Sequence, residues 1–463
     1  MYKKNSHIHF IGIGGIGMSG LAQILAKRGY TVSGCDNNNN QKTIHDAQQS
    51  GCSIAEGNFT KTCKNKTIDL FVYTTAIRSN NPELMFAHQN NIKTVHRAKL
   101  LAELMRTHHG IAISGSHGKT TTSSLIAHLL LEANLDPSIA IGGHLNSINN
   151  NAHHGTGDFF VAEADESDRS MCELSPSLAV ITNIDLEHLE TYRNLHDVTQ
   201  TFEKFLNKLT FYGKAILCID SEQVRSLLPL QYNQAITYGI TPTADWTAKN
   251  IIHSPDYSTF DAYYQNSHKG QIQVNLPGIH NVTNSLAVLA VGHELDISFT
   301  VRKQALKSFT GIDRRFTFKG TSKQGAAVFD DYGHHPLEIK HTVETARRKT
   351  KGKISMLFQP HRYTRTQKLW DDFVDIFTST PIDYLIITDI YESSETPIPG
   401  ITSKDLIAAI KLKKPSLQAF YFPLKPGYHE LEKAISSQLQ NGDLLLLQGA
   451  GKVNDIYAQL IKK

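Results

Sequence analysis

Residues 113–122, ISGSHGKTTT, combine the residue types that phosphate chemistry needs. Glycines allow backbone N–H groups to face an anion, and a helix beginning there adds its positive end. Lys119 can reach β- and γ-phosphates, and the Thr120 hydroxyl suits Mg2+. Gly115, Ser116, His117, Gly118, Lys119, Thr120 and Thr121 therefore form the expected nucleotide loop. The usual expression asks for glycine at position 113, where this chain has Ile113. A glycine-rich turn with a surface lysine is the plainer reading. The apolar run before the loop and the helical run after it favour the cradle. Downstream, FFVAEADESD brings Glu163, Asp165, Glu166 and Asp168 to the end of an apolar strand, where carboxylates can bind Mg2+. His188, in NIDLEHLETY, follows the next strand and becomes a metal or catalytic candidate.

A second phosphate signature stands near the N-terminus. Gly12-Ile13-Gly14-Gly15-Ile16-Gly17 is a G-x-G-x-x-G. Asp36 lies at about the spacing of a ribose contact in a dinucleotide-binding unit. The glycines alone leave open a redox cofactor or some other diphosphate.

These loops need strands before them and helices after them. Residues 7–12 read as a buried strand, 17–29 as a helix burying Leu21, Ile24 and Leu25, and 31–35 as a second strand. Leu70–Tyr73 and Ile92–Val95 read as further strands. A second α/β unit starts at Gly110, with strands IAISG, FFVAEAD and LAVITNI and the helix TTTSSLIAHLLLEA. Residues 246–276 alternate as an antiparallel flap, and LPGIHNVTNSLAVLAVGHEL resumes as helix. Near Gly320 a third unit begins: strand AAVFD, helix PLEIKHTVETARR, strand KISMLF, a helix near 366–378, then strands YLIITDI and DLLLLQG. The expected fold is α/β throughout, in three successive domains over 1–107, 108–313 and 314–463. The first and third are Rossmann-like, and the second is a P-loop unit with a small antiparallel flap. Low complexity is confined to NNNN at 37–40.

Composition narrows the function. The 463 residues are too many for one ordinary core. The 47 Lys+Arg against 43 Asp+Glu carry no basic, aromatic-interleaved block, so nucleic acid is not an expected partner. No apolar run is long enough to span a bilayer. No secretory signal is evident, so a cytoplasmic protein is expected. The five cysteines form no C-x-x-C and read as free thiols rather than a disulfide or zinc framework.

With GSHGKTTT, EADESD, GIHNVTNSLAV, GIDRRF, DDYGHHPLE and FQPHRYTRT in order, the chain resembles the Mur ligase family over nearly its whole length. These are the ATP-dependent amide ligases of peptidoglycan precursor synthesis. GIGGIGMSG, DDYGHHPLE and FQPHRYTRT match the branch that adds L-alanine to UDP-N-acetylmuramate. The resemblance implies that the lactyl carboxylate attacks the γ-phosphate of ATP. The amine of L-alanine then attacks the resulting acyl phosphate. It implies Mg2+, with Mn2+ as the alternative ion, and no carbamylated lysine in this branch.

The resemblance also assigns residues. Thr120 and Glu166 hold one Mg2+, and Glu166 with His188 a second. His280 and Asn281 contact adenine, Arg314 and Arg315 the nucleotide, and Asp331 its ribose or phosphates. A helix N-cap is the structural alternative for Asn281. Gly12, Gly14, Gly15, Ile16, Gly17, Met18 and Ser19, with Asp36, Thr75 and Arg97, take the UDP-sugar. Tyr332, His335, His361, Arg362 and Arg365 take alanine, with His334 beside them; a surface turn closed by Pro336 is the plainer reading of His334-His335. An amino-acid carboxylate suits the fork of arginine. Lys119, Glu166, His188 and His361 form the expected catalytic set, and His188 and His361 are both open as the proton acceptor.

Three other readings compete. A murein-recycling ligase would attach a whole tripeptide to the same sugar, and FQPHRYTRT argues against it. An NAD-dependent oxidoreductase leaves the lysine loop and EADESD unexplained. A GTP-binding switch would need a guanine-reading motif that TNID at 182–185 barely matches. Monomer and homodimer are both compatible with the sequence. Substrate sites spread over three domains imply closure during turnover.

Overall fold

The computed structural model describes residues 6–38, 41–57, 60, 63–65, 67–188, 190–393, 395–425 and 427–461. Residues 39 and 40 of the NNNN run lie outside them. The chain divides into two compact units. Residues up to His253 with Tyr257–Thr310 form one, and Gly311 onward with Ser254–Asp256 forms the other. Among the described residues the first unit carries two sheets and the second unit one.

The first sheet is all parallel. Its strands lie in the order Ser53–Glu56, Thr31–Asp36, His7–Ile11, Leu70–Tyr73, Lys93–His96. Strand order reverses beside His7–Ile11, which is where doubly wound sheets bind ligands. The Gly12–Gly17 loop leaves that strand and enters helix Ile16–Lys27. Met18, Leu21, Ala22 and Leu25 recur at helical spacing and bury against the sheet. Lys27 lies in the last turn and Gly29 follows with φ +88°, both of which suit a helix end.

The second sheet has ten strands. Parallel strands Gln234–Tyr238, Lys214–Cys218, Leu178–Ile181, His109–Ser114, Phe159–Glu163 and Ser138–Leu145 lie side by side in that order. His109–Ser114 runs between Phe159–Glu163 and Leu178–Ile181, with Ile113 opposite Glu163 and Ser114 opposite Ile181. This register brings EADESD and TNIDLEH to either side of the phosphate loop. Helix Lys119–Glu132 is buried almost all round, packing on the sheet and on helices Ile279–Glu294 and Phe299–Ser308. Burying its Leu125, Ile126, Leu129 and Leu130 is worth roughly 1.5–3 kcal/mol each, which fixes the loop that opens it. Strands Trp246–His253, Ser258–Tyr264 and Ser267–Val274 are antiparallel, as expected of the flap. Tyr238 pairs with Trp246, so they extend the same sheet.

The third sheet runs Thr317–Thr321, Ala327–Asp331, Leu444–Gln448, Ile354–Phe358, Tyr384–Ile387, Gln418–Tyr421, with only the first strand antiparallel. The helix expected near 366–378 is two, Tyr363–Lys368 and Trp370–Ser379, broken at Leu369.

The cysteine expectation needs correction. Cys35 and Cys63 are joined in a disulfide, while Cys52, Cys172 and Cys218 are free thiols. The pair is 28 residues apart and is brought together only by the fold, so spacing gave no warning. Among the described residues no helix is long and apolar enough to cross a membrane.

Candidate active site

The loop after His109–Ser114 is shaped by two glycines. Gly115 has φ +140°, and a methyl there would lie 2.0 Å from Thr182 Oγ1. Gly118 has φ +79° and is the N-cap of helix Lys119–Glu132, with no side chain capping it. The loop is braced from the neighbouring strand. The His117 amide donates to Asn183 Oδ1 at 2.8 Å, and the His117 carbonyl accepts from Thr182 Oγ1 at 2.6 Å and Asn183 Nδ2 at 3.0 Å. Ser116 Oγ accepts from the Asp185 amide at 2.8 Å. The TNID segment therefore buttresses the phosphate loop and is not arranged to read a base.

Charge converges on this frame. Lys119 Nζ donates to Glu166 Oε1 at 2.8 Å and to the carbonyls of Gly115 and Ser116. Burial disfavours its charge, but the Glu166 and Glu163 carboxylates outweigh that and raise its pKa. His188 Nε2 lies 3.4 Å from the same Glu166 oxygen. Burial lowers the His188 pKa, while hydrogen bonds to Glu166 and Glu190 and the charges of Glu166 and Glu187 carry it up to about 9. His188 has φ +52°, an uncommon backbone for a non-glycine residue, and such residues cluster at functional sites.

The second oxygen of Glu166, Oε2, is buried and has no hydrogen-bond partner. Such an atom is costly unless something else satisfies it. Ligand atoms of Glu166, Glu187 and His188 lie within 4.8 Å of one another, so this donor set fits a cation. The Thr120 hydroxyl meets a different carboxylate. It donates to Glu163, 3.0 Å from Oε2. Parallel register places Glu163 beside the loop's threonine and Glu166 beside its lysine. Burial raises the Glu163 pKa, against the opposing pull of Lys119.

Helix Ile279–Glu294 lies against the loop. Its N-cap is Gly278, not Asn281, whose Nδ2 donates to the Pro277 carbonyl at 2.8 Å. His280 precedes it in the first turn and is half-buried. One turn on, Asn284 Oδ1 would lie 3.2 Å from a methyl on Gly118. Sequence reading passed over Asn284, although i, i+3 spacing from Asn281 puts both on one face.

The first loop is built differently. Asp36 Oδ2 accepts from the Gly14 amide at 2.9 Å, and Thr43 Oγ1 donates to the Gly14 carbonyl at 2.7 Å. Gly12 has φ +73°. Gly15 and Ile16 are exposed at the helix start, and Thr75 is exposed in the turn after Leu70–Tyr73. Met18 and Ser19 are buried, and the Ser19 hydroxyl donates to the Ile16 carbonyl. Arg97 lies over Gly17, where a methyl would come 2.8 Å from Nη1, and its Nη2 is 3.5 Å from Asp165.

In the second unit, Arg314 donates to the Gly449 carbonyl at 2.6 Å and stacks over Tyr332. Arg315 lies 3.7 Å from Glu338. Asp331 accepts from the Phe316 and Gly333 amides and from Gln448 Nε2, so it clasps GIDRRF to DDYGHH. Oδ1 takes both Gly333 and Gln448, and Oδ2, which takes only Phe316, keeps a second lone pair. His335 caps helix Pro336–Lys349 in a capping box with Glu338. The ring of His334 lies 5.0 Å from that of His361. Arg365 Nη1 is 2.9 Å from His361 Nδ1. Burial, with His334, Arg365 and Arg362, pushes the His361 pKa down to about 2. Arginine can only donate, so Nδ1 accepts and the ring proton sits on Nε2. His361 therefore offers an N–H and is a poor proton acceptor. Arg362, with φ +71°, donates its amide to the Tyr391 carbonyl at the head of Tyr363–Lys368.

A phosphate loop whose lysine faces buried carboxylates is the equipment of a nucleotide-dependent phosphoryl-transfer enzyme. The family comparisons are more specific. Residues 7–109 match the Mur ligase family catalytic domain, 113–292 the Mur ligase middle domain, and 314–451 the Mur ligase glutamate ligase domain. The chain belongs to the Mur ligase family. The UDP-N-acetylmuramate–L-alanine ligase of Syntrophus aciditrophicus (strain SB) is 44% identical over 463 residues, covering 100% of this chain and 94% of that one. The enzyme of the same name from Geotalea daltonii is 43% identical, covering 100% and 99%. Among solved structures, the UDP-N-acetylmuramate–alanine ligase of Thermotoga maritima superimposes with a TM-score of 0.83 at 27% identity, covering 98% of this chain and 97% of that one. A murein peptide ligase from Psychrobacter arcticus shares the fold, with a TM-score of 0.75 at 23% identity and 98% of each chain covered.

Proposed function

We propose that this protein joins L-alanine to the lactyl carboxylate of UDP-N-acetylmuramate at the expense of ATP, giving ADP and phosphate. The full-length identity to alanine ligases carries this reading. The chemistry of the first unit supports it. A carboxylate is a poor acylating agent, so it is phosphorylated first and the amine displaces phosphate from the acyl phosphate. Two anions must meet in the first step, and catalysis is mainly positioning and charge neutralisation.

Lys119 is held charged by Glu166 and Glu163, where γ-phosphate and carboxylate would meet. Loop amides after Gly115 and Gly118 orient the phosphates. Thr120 and Glu166 would hold one Mg2+ and Glu166 with His188 a second, with the Glu163 carboxylate beside Thr120. When bound, Mg2+ would supply charge neutralisation for the meeting of the two anions. The Gly12–Gly17 loop, with Asp36, Thr75 and Arg97, takes the UDP-sugar. Asn281, His280, Arg314, Arg315 and Asp331 serve the nucleotide. Arg362, Arg365 and the His361 N–H serve the amino-acid carboxylate, beside Tyr332 and His335. The domain limits 1–107, 108–313 and 314–463 and a cytoplasmic location accompany this reading.

The test incubates the purified protein with ATP, Mg2+, UDP-N-acetylmuramate and, in turn, L-alanine, L-serine, glycine and the tripeptide. Phosphate release and product mass are measured. The expected product carries one alanine. Phosphate release independent of the sugar, or preference for the tripeptide, overturns the assignment.

A further inference from the structure

Behind the first loop lies a cluster that the ligase reaction does not use. His9, Cys35, Cys63 and Glu83 are all fully buried, and one ligand atom from each lies within 4.8 Å of the others. Each comes from a different place. His9 is on strand His7–Ile11, Cys35 on Thr31–Asp36, Glu83 in the first turn of helix Pro82–Gln89, and Cys63 in the connection before Leu70–Tyr73. His9 Nε2 is 3.0 Å from Glu83 Oε2 and 3.7 Å from Cys35 Sγ. A tetrahedral zinc ion with two sulfur, one nitrogen and one oxygen ligand spaces those atoms by roughly 3.2–3.8 Å. The fourth side needed is Cys63, now bonded to Cys35.

Two further features suit a cation. His9 Nδ1 is 2.8 Å from Ser33 Oγ, and Ser33 Oγ is in turn 2.7 Å from His7 Nε2. Glu83 accepts from His9 Nε2 in this structure; a cation taking the place of that proton would leave His9 Nδ1 to donate to Ser33 Oγ, the arrangement metal-binding histidines require. The Cα atoms of Cys35 and Cys63 are 7.2 Å apart, wider than the roughly 4.4–6.8 Å that bonded cysteines usually span. A cation between the sulfurs suits that separation.

We infer that His9, Cys35, Cys63 and Glu83 form a site for a thiophilic divalent cation of the zinc class when the two cysteines are reduced. The two states interconvert in balance. A dithiol or phosphine reductant supplies two electrons, which with two protons convert the disulfide to two thiols. Binding of the cation then releases those two thiol protons to solvent. The site is structural: Cys35 adjoins Asp36, which holds the Gly14 amide, so the cation would pin the strand that supports the sugar-nucleotide loop.

The experiment uses the full-length protein, stripped of metal and without nucleotide, and titrates it anaerobically with Co2+. Protein reduced with tris(2-carboxyethyl)phosphine is expected to bind one Co2+ with sulfur-to-cobalt charge-transfer absorption and tetrahedral visible bands, both removed by Zn2+. The oxidised protein, of identical sequence, is expected to show neither. The Cys35→Ser/Cys63→Ser variant should lose the bands, and Cys52→Ser should keep them. Ser33→Ala should keep the bands but weaken binding roughly 10–100-fold. Absence of charge-transfer bands in the reduced wild-type protein, or bands equally strong in the oxidised protein, overturns the proposal.

Discussion

The two glycine-rich loops of the first unit use the same backbone device and differ in what surrounds it. The Gly12–Gly17 turn contains no lysine. Asp36 and Thr43 hold it, and the Asn151 side chain holds the Ile16 carbonyl at 2.7 Å, with Arg97 the cation above it. The Gly115–Thr121 turn carries Lys119 inside it and faces Glu163, Glu166 and His188. The first can only grip. The second can grip and also stabilise charge that appears during reaction. Interactions equal in ground and transition states lower KM, and only those that strengthen in the transition state raise kcat. Damage to the first loop should thus appear in KM and damage to the second in kcat.

Removing divalent metal should have the largest effect. Chelated, dialysed protein should release no phosphate and recover on Mg2+ addition. In the oxidised protein, where Cys35 and Cys63 are bonded to each other, binding of the UDP-sugar, followed by calorimetry, should persist, because among the described residues the first loop has no carboxylate cluster of the second kind. Loss of sugar binding on chelation would break the contrast. Lys119→Ala comes next. Turnover should fall about 10³-fold, of the order of 4 kcal/mol, as for loss of a preorganised charge-stabilising donor. The structure adds a consequence for stability. Glu166 is only 1% exposed, so losing its lysine leaves a buried carboxylate short of a partner and should lower Tm. Lys119→Ala/Glu166→Gln should regain Tm without regaining turnover. Turnover retained in either variant would mean that the lysine is misread.

What was legible beforehand follows the range of the interactions. Lys119 and Thr120 were readable because strand, turn and helix are contiguous. The three α/β sheets were readable from alternating periodicities. The partner of Thr120 was not, because EADESD offers four carboxylates and only register against His109–Ser114 selects Glu163. Asn183 and Asn284 escaped for the same reason: each reaches the loop from a separate element. Met18 and Ser19 extend the glycine motif in sequence yet point into the core, since a helix turns successive side chains about 100° apart. The break at Leu369 and the joining of the antiparallel strands to the central sheet depend on tertiary pairing, which composition does not encode.

Glycine replacement sharpens the comparison at intermediate size. A methyl on Gly115 meets Thr182 at 2.0 Å with φ +140°, so the loop itself must move. Gly115→Ala should lower kcat by at least about tenfold, since small misplacements of a reacting group cost up to 10²-fold. A methyl on Gly14 meets the Asp36 carboxylate at 2.8 Å, a side chain that can rotate away. Gly14→Ala should raise the KM for UDP-N-acetylmuramate several-fold and leave kcat and the KM for ATP nearly unchanged. Steady-state kinetics with each substrate varied separately distinguish the two patterns. A fall in kcat for Gly14→Ala matching that for Gly115→Ala would erase the distinction.

Arg97 tests where the two loops meet, with the smallest effect. Its guanidinium lies over Gly17 and 3.5 Å from Asp165, so one side chain adjoins both the Gly12–Gly17 turn and the EADESD segment. The ion pair is partly exposed and contributes no more than about 1 kcal/mol to stability, so Arg97→Ala should fold normally. If Arg97 serves the diphosphate, the KM for the sugar nucleotide should rise about fivefold, roughly 1 kcal/mol, with the KM for ATP unchanged. If it serves chiefly to orient Asp165, the loss should appear in kcat. Arg97→Lys separates charge from geometry, because lysine keeps the charge and loses the planar fork. Recovery by lysine would mean that the first loop needs only positive charge above it. No recovery would mean that the fork itself, spanning Gly17 and Asp165, couples the grip on one substrate to the chemistry on the other.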